Sequence, residues 1–382
     1  MPGALGRWAG FSRNNLVWLL ATGVCCVGLW LLDLRPPRSP AKNEKAEARV
    51  LTVDDSQTQS LGLVVTGCQR LRVKIISGIY AGREFAANNQ LRADMELDKF
   101  FRPGDRALVV FPENGVNEDT VLTAQDHYRM HYVYALCGAL ALLLVCFAGA
   151  VGVKALMSLV FSCLALWQLV IPLCLRGFNP VVVCLAAVLL LTAFIIFIIG
   201  GFTRKGFTAF AGSMLGVGAG CWLGALATGW FKINGATMPY SQALLYSGYE
   251  FLSLPDIFIG AIFLASSGAM MDLAMDVAAG MEEVKLHRPD ISRGQLLLSG
   301  IRIGRSVVGT MTTTLFLAYS GGYLTLMMAF MCQGTALLDF INNPYVAAEM
   351  VKTIVGSFGL VLVAPATAAA GAVIYFFREK SA

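Results

Sequence analysis

Charge is what this chain has least of. Only 14% of its 382 residues are Asp, Glu, Lys or Arg, while 57% are apolar; soluble domains carry roughly a quarter charged residues. That balance excludes an ordinary water-soluble domain and leaves a polytopic membrane protein. Histidine is scarcer still, with three in the chain. His127, His131 and His287 have no nucleophile at motif spacing and there is no P-loop, so hydrolase and transferase machinery is missing and an enzyme is not expected. The ten cysteines form no CxxC pair and no Cys/His set at zinc-binding spacing. All but Cys68 lie in or beside apolar runs, where a thiol behaves as a small hydrophobe. Neither a disulfide nor a metal nor any other cofactor is expected. The net charge of +5 is modest, and the basic residues are scattered instead of forming a stripe, so nucleic acid is not an expected partner.

What is there is mostly hydrophobic run. Arg7 and Arg13 precede an apolar stretch from about Asn15 to Leu34, and no A-x-A cleavage site or lipobox accompanies it. It reads as an uncleaved anchor with a cytoplasmic N-terminus. Residues 1–34 thus form the N-terminus and first span, and 35–46 a linker. Residues 47–130 form the one sizeable polar domain. There RVKIIS (Arg72–Ser77) and ALVVF (Ala107–Phe111) read as strands, and Tyr80-Ala81-Gly82, Asn88-Asn89 and Arg102-Pro103-Gly104-Asp105 as turns. The pattern predicts a small β-barrel of the SH3-like or OB-like kind. Its basic residues are matched by Glu84, Asp94, Glu96, Asp98, Glu113, Glu118 and Asp119, which argues against oligonucleotide binding. Residues 131–382 form a multispan domain.

Spans are expected near Tyr132–Val151, Ala155–Leu175, Pro180–Phe202, Phe207–Trp230, Asp256–Gly280, Val307–Ser320, Tyr323–Phe340 and Ile354–Phe377, with a charged loop helix before Val307. With the anchor that makes about nine crossings, or about eight if Val307–Phe340 holds a re-entrant segment. Ser320-Gly321-Gly322 favours a tight hairpin, and Val346–Lys352 reads as a short interfacial segment. The fold class is therefore mostly α, a helical membrane protein with a small extracytoplasmic β domain after the first span. A cytoplasmic N-terminus places Lys154, Arg204, Lys205, Lys285, His287, Arg288, Arg293, Arg302 and Arg305 on the cytoplasmic side. Arg176 and Lys232 dissent, as do Arg378 and Lys380 if there are nine spans.

Chemistry concentrates in Ser266–Val284, SSGAMMDLAMDVAAGMEEV. At helical spacing Gly268, Asp272, Asp276 and Gly280 share a stripe roughly 120° wide. Asp272 lies about 24 Å and Asp276 about 30 Å along a span begun at Asp256, within a hydrocarbon core about 30 Å thick. An Asp at mid-depth costs about 2.5–3.5 kcal/mol, so such acids face a protein interior or a wet cavity. Asp276 also suits an interfacial position.

The following span carries Ser306, Thr310, Thr312, Thr313 and Thr314. Threonines commonly satisfy themselves on their own preceding turn; alternatively Thr310, Thr313 and Thr314 join Asp272 in an oxygen-rich site for a hard cation or hydrated solute. Arg302 and Arg305 before this span, with Glu282 and Glu283 after the aspartate span, suggest an ion-pair cluster, either a structural clamp or a gate. Gly212, Gly216, Gly220 and Gly224 recur every four residues, a packing face for a neighbouring helix. Pro365 interrupts the last span, as a kink or as a discontinuity of the kind that lines transporter sites.

GAIFLASSGAMMDLAMDVAAGMEEV from Gly260, ISRGQLLLSGIRIGRSVVGTMTTTLFLAY from Ile291 and VGSFGLVLVAPATA from Val355 resemble the YibE/F-like family of bacterial multispanning proteins. LRVKIISG, NNQL, ELDKFFRPGDRALV, RGFNPVVV and IGGFTRKG extend the resemblance over nearly the whole chain after about Ala48. Its motif positions are Asp272, Asp276, Arg302, Gly304, Arg305, Gly309, Thr310, Thr312 and Thr314; the family commonly has a small hydroxyl residue in place of Asp276, which shifts weight to Asp272. The resemblance implies a multi-pass protein of the bacterial inner membrane. The expected role is transport of an ion or small solute through a polar site centred on Asp272. The alternative is a non-transporting assembly or sensor protein whose outer β domain binds a protein partner.

Overall fold

The computed structural model describes residues 13–31, 34, 44–112, 117 and 120–376, with side chains from 21 onward. Arg7, Glu113, Glu118, Asp119, Arg378, Lys380 and most of the 35–46 linker lie outside the described residues. Contacts divide the chain into two compact units, Pro37–Leu143 and the remainder.

In the smaller unit, β1 (Lys45–Leu61), β2 (Val64–Ile75), β3 (Glu84–Arg92), β4 (Arg106–Val110) and β5 (Val121–His127) close a barrel in the order β1-β2-β3-β5-β4. The pair β3–β5 is parallel and the others antiparallel. Of the two kinds the sequence admits, a closed five-stranded barrel in this order is OB-like. Alternation builds it: Phe85, Ala87, Asn89 and Leu91 of β3 point inward and their neighbours outward. Register shifts at Val50/Thr52 and Asp54/Gln57 bend β1 so that it pairs with both β2 and β4. Gly104, at φ +97°, turns the chain as its sequence predicts.

Asn88-Asn89 is no turn. The pair sits in mid-β3, and Asn89 is buried, its Nδ2 donating to Gln69 Oε1 at 2.9 Å and to the Lys99 carbonyl at 2.6 Å. These bonds satisfy the amide N–H groups of a residue that composition alone assigns to a loop, while its Oδ1 stays buried without a partner among the described residues.

The larger unit is helical. Helix α1 (Arg13–Leu31) rests through Cys26 and Leu29 against Phe161 and Leu191. Helix α2 (Met130–Ala148), none of whose residues is buried, belongs to the smaller unit as far as Leu143, and α3 (Ala150–Ala165), a π-helical turn at Leu166–Val170 and α4 (Ile171–Leu175) follow it. The π turn precedes Pro172, which has no N–H to offer and crowds the carbonyl a turn before it. Then follow α5 (Pro180–Gly200), α6 (Arg204–Trp230), the short α7 (Ser241–Tyr246), α8 (Leu254–His287) and α9 (Arg293–Gly322). The chain ends in α10 (Leu324–Cys332), α11 (Leu337–Asn342) and α12 (Pro344–Ile374). Asn179, Ser253, Ser292 and Asn343 cap α5, α8, α9 and α12 with their side-chain oxygens.

Among the described residues six helical segments are long and apolar enough to cross a membrane: α2, α3 through α4, α5, α6, α8 and α12. The pair α9–α10, bent by 62°, adds a seventh if it counts as one span. The sequence expects eight or nine with the anchor included; of the anchor only Ala21–Leu31 enters this count, as an apolar helix shorter than a span, and the rest of the difference lies at 307–340. No separate charged loop helix exists there, because α8 runs on to His287 and α9 already starts at Arg293. Ser320-Gly321-Gly322 ends α9 at the bend, and the nine-residue α10 is about 14 Å long, too short to cross. Val346–Lys352 is likewise no separate interfacial segment but the start of α12, with Val346, Ala348 and Val351 buried.

Helix α8 is the hub, packed on α5, α6, α9 and α12. Leu273, Met270 and Val277 meet Leu360, Val363 and Ala364 of α12 in the main core. The glycine ladder serves the α6–α12 contact: a Cβ on Gly212 would overlap Thr367, one on Gly216 would overlap Val363, and one on Gly224 would stand 3.6 Å from Val355. One end of this bundle gathers basic side chains. There Arg204 donates to the Tyr375 carbonyl at 3.2 Å, Lys205 pairs with Glu282 at 3.6 Å, and Lys285 lies 4.3 Å from the centroid of the Phe376 ring. The start of α6 and the ends of α8 and α12 therefore share an end.

Candidate functional site

The acidic stripe is present on α8, and it faces away from the packed side of the helix. Leu273, Ala274, Val277 and Ala278 are buried, while Ala265, Gly268, Asp272, Asp276 and Ala279 are exposed along one line. The apolar positions of α8 fill the interior against α5, α6, α9 and α12, and the acids are left on the remaining face. The shielding of Asp272 by neighbouring helices expected from its intramembrane position is thus not supplied by the described residues of the larger unit. Among the described residues no hydrogen bond or ion pair reaches the side chain of Asp272 or Asp276.

Helix α9 has a matching stripe. Arg302, Arg305, Ser306, Gly309, Thr310, Thr313 and Thr314 are exposed, with Gly300, Gly304 and Leu315 buried on the opposite side. The two helices run antiparallel, and the contacts fix their register: a Cβ on Gly280 would stand 2.7 Å from Ile303 Cδ1, and one on Gly300 would stand 2.7 Å from Met281 Sδ. Carried along both helices, these contacts set Asp276 level with residues 305–307 and Asp272 level with residues 309–311. The acids and Ser306, Thr310 and Thr314 therefore edge one shallow groove at the same depth.

The hydroxyls follow the quieter of their two readings. Thr310 donates to the Val307 carbonyl at 2.9 Å, Thr313 to Gly309 at 3.1 Å and Thr314 to Thr310 at 2.9 Å. Each keeps its lone pairs free, so the stripe presents acceptors while its protons are committed to the helix. That is a surface suited to a cation or to water.

The expected ion-pair cluster has other members. Glu282 pairs with Lys205 of α6, and Glu283 lies 3.0 Å from His287 one turn on. Arg302 and Arg305 point to the exposed face of α9, away from the α8 contact, and meet neither glutamate. Helical phase is the reason, because α9 has already turned these positions outward when Ile303 and Gly304 pack inward. Helix α12 continues unbroken through Pro365, so no discontinuous span stands there. Gln333 and Asp339 are exposed beyond the bend and join no site.

A cavity missed in the sequence lies at the end of the bundle opposite the basic side chains. It holds about 600 Å³ between the segment 236–243, the α9–α10 bend and the start of α12, with Gln242, Tyr323, Tyr345 and Glu349 on its wall. Glu349 pairs there with Lys352 at 2.6 Å. The pair at three-residue spacing on an apolar helix was the available signal, but the cavity joins segments about a hundred residues apart.

No curated protein and no solved structure matches the chain. The sequence profile of the YibE/F-like proteins matches residues 136–376, beginning within α2, so the barrel lies outside the match and both stripes lie inside it. More than half of the chain is thereby accounted for by one profile, and the chain belongs to the YibE/F-like protein family.

Proposed function

We propose that this membrane protein moves an ion or small hydrated solute across the bilayer along the polar groove of α8 and α9, with Asp272 as the binding group. The observation that carries this reading is the coincidence in depth of an acid stripe and a hydroxyl stripe on adjacent antiparallel helices. An Asp in a span costs about 2.5–3.5 kcal/mol, and such acids line substrate and ion paths. Thr310 and Thr314 offer neutral oxygens beside it, which with the carboxylate suit a hard cation, whereas Thr313 lies on the other flank of α9 and lines a cavity with Thr353 and Ser357 of α12. Asp276 supplies a second negative charge one turn nearer the basic end. Arg302 and Arg305, further toward that end, repel cations there and are placed to act as a gate.

Orientation follows from charge. Arg204, Lys205, Lys285 and Arg293 gather at one end of the bundle, and short loops rich in Lys and Arg stay cytoplasmic. With that end inside the cell and the first helix an anchor, the barrel is extracytoplasmic and the inner membrane of a bacterium is the host. The test is flux in liposomes. Asp272→Asn lowers it about tenfold or more, the equivalent of about 1.4 kcal/mol of lost binding; unchanged flux removes Asp272 from the path.

One observation favours a second reading, a non-transporting assembly or sensor protein. At the β1–β2 hairpin Leu61 and Leu63 are 60% and 89% exposed, an apolar tip on which a protein partner could close. Under that reading, deleting Glu47–Arg129 abolishes the cellular phenotype while Asp272→Asn leaves it intact.

A further inference from the structure

Helices α8 and α9 carry ionisable and hydroxyl side chains on a face that no other described element of the larger unit covers. Acyl chains offer these groups no hydrogen bonds, and two polar helix faces side by side in lipid call for a polar neighbour. We propose that the neighbour is a second copy of this chain, docked through a two-fold axis along the membrane normal, with α8 of each copy against α9 of the other.

Symmetry makes the charges fit. A rotation about the membrane normal keeps depth constant, so groups can meet across it only if they lie at the same level. The contacts of Gly280 with Ile303 and of Gly300 with Met281 put Asp276 level with residues 305–307, so Arg305 lies within about 3 Å of it along the axis. Within one chain the two side chains do not pair. Across a two-fold axis through the groove, α8 of one copy lies opposite α9 of the other, so Arg305 of each faces the acid of its partner twice over, as an isologous interface requires. A guanidinium on a flexible stem spans the small difference in level.

The same face is cleared for close approach. Gly268 on α8 and Gly309 on α9 lie on it, and a Cβ at either would meet nothing within 4 Å in its own chain. The buried glycines Gly212, Gly216, Gly300 and Gly304 are different, each pressed against α12. Small residues whose room is not used within the chain suit a helix arriving from outside it. Docking also closes the groove, so that Asp272 and the threonines of both copies look into one enclosed polar space. The proposal requires only that α8 and α9 lie in the membrane, and it stands whether or not anything is transported.

The test uses full-length protein carrying two different affinity tags, co-expressed and extracted directly into lipid nanodiscs. Wild-type copies co-purify, and photobleaching of labelled protein gives two steps per particle. Arg305→Asp alone and Asp276→Arg alone each reduce co-purification about tenfold or more, since each sets like charges together. Arg305→Asp co-expressed with Asp276→Arg restores it, because the mixed pair rebuilds both ion pairs; this recovery also shows that both variants fold. Gly309→Trp, whose added bulk meets nothing in its own chain, also lowers co-purification. One-step particles of the wild type overturn the proposal, as does a different protein recovered in place of the second copy. It is overturned equally if both single variants self-associate like the wild type, or if mixing them restores nothing.

Discussion

Gln69 ties three parts of the barrel together with one side chain. Its Oε1 accepts from Asn89 Nδ2 at 2.9 Å and from the Phe101 N–H at 3.1 Å, and its Nε2 donates to Asp55 at 2.7 Å. Gln69→Leu keeps much of the volume but strands two donors, one of them backbone, in a closed interior. A loss of about 1–3 kcal/mol of barrel stability is expected, measurable as faster amide exchange in β2 and β3. Asp98 works at the surface. Burial opposes its ionisation, but the N–H groups of Arg92, Asp94 and Ala93 outweigh that and hold its carboxyl below the ordinary carboxylate range. A lowered folded value means stability present above the unfolded pKa of about 3.9 and lost as pH falls through the folded one. Asp98→Ala should therefore loosen residues 92–98 at pH 7, and the difference from wild type should shrink below about pH 4. The Gln69 network was not legible beforehand, because the Asn88-Asn89 pair looks like a turn until a glutamine from another strand accepts from its amide.

At the scale of helices, the clearest contrast is between glycines in one segment. Gly216 of α6 abuts Val363 of α12, whereas Gly218, two residues on, has nothing within 4 Å of an added Cβ. Gly216→Leu should cost about 1–3 kcal/mol or more by forcing the helices apart, and Gly218→Leu close to nothing; melting of both variants in the same detergent measures the difference. This packing role was legible in the sequence, because a four-residue period of glycines on an apolar helix has few other uses. The α9–α10 segment was not. A polar dip at Ser320-Gly321-Gly322 suits both a hairpin and a bend, and composition does not say how the chain leaves it.

For the whole molecule, the consequence of that bend is topological. With α9 and the short α10 replacing two full crossings, α12 runs back toward the bundle end that holds Arg204 and Lys205, and Tyr375 meets Arg204 there. A fluorescent reporter fused after residue 382 is expected to report from the cytoplasm, which accessibility to membrane-impermeant quenchers checks; a reporter exposed outside the cell contradicts the proposed orientation. The sequence conflict over Arg378 and Lys380 arises only when 307–340 is counted as two spans.

The amino-acid sequence alone determined the class of molecule, the presence of a small β domain, the family, and the two helices on which acids and hydroxyls lie. Each of those follows from composition, period or local motif, all properties of neighbouring residues. Only the tertiary structure decided which way the stripes face, which acids pair with which bases, and how many long helices fit between the barrel and the chain's end. Those depend on helical phase and register between segments far apart in the chain. A shift of one residue in either turns an inward side chain outward and leaves the local pattern unchanged.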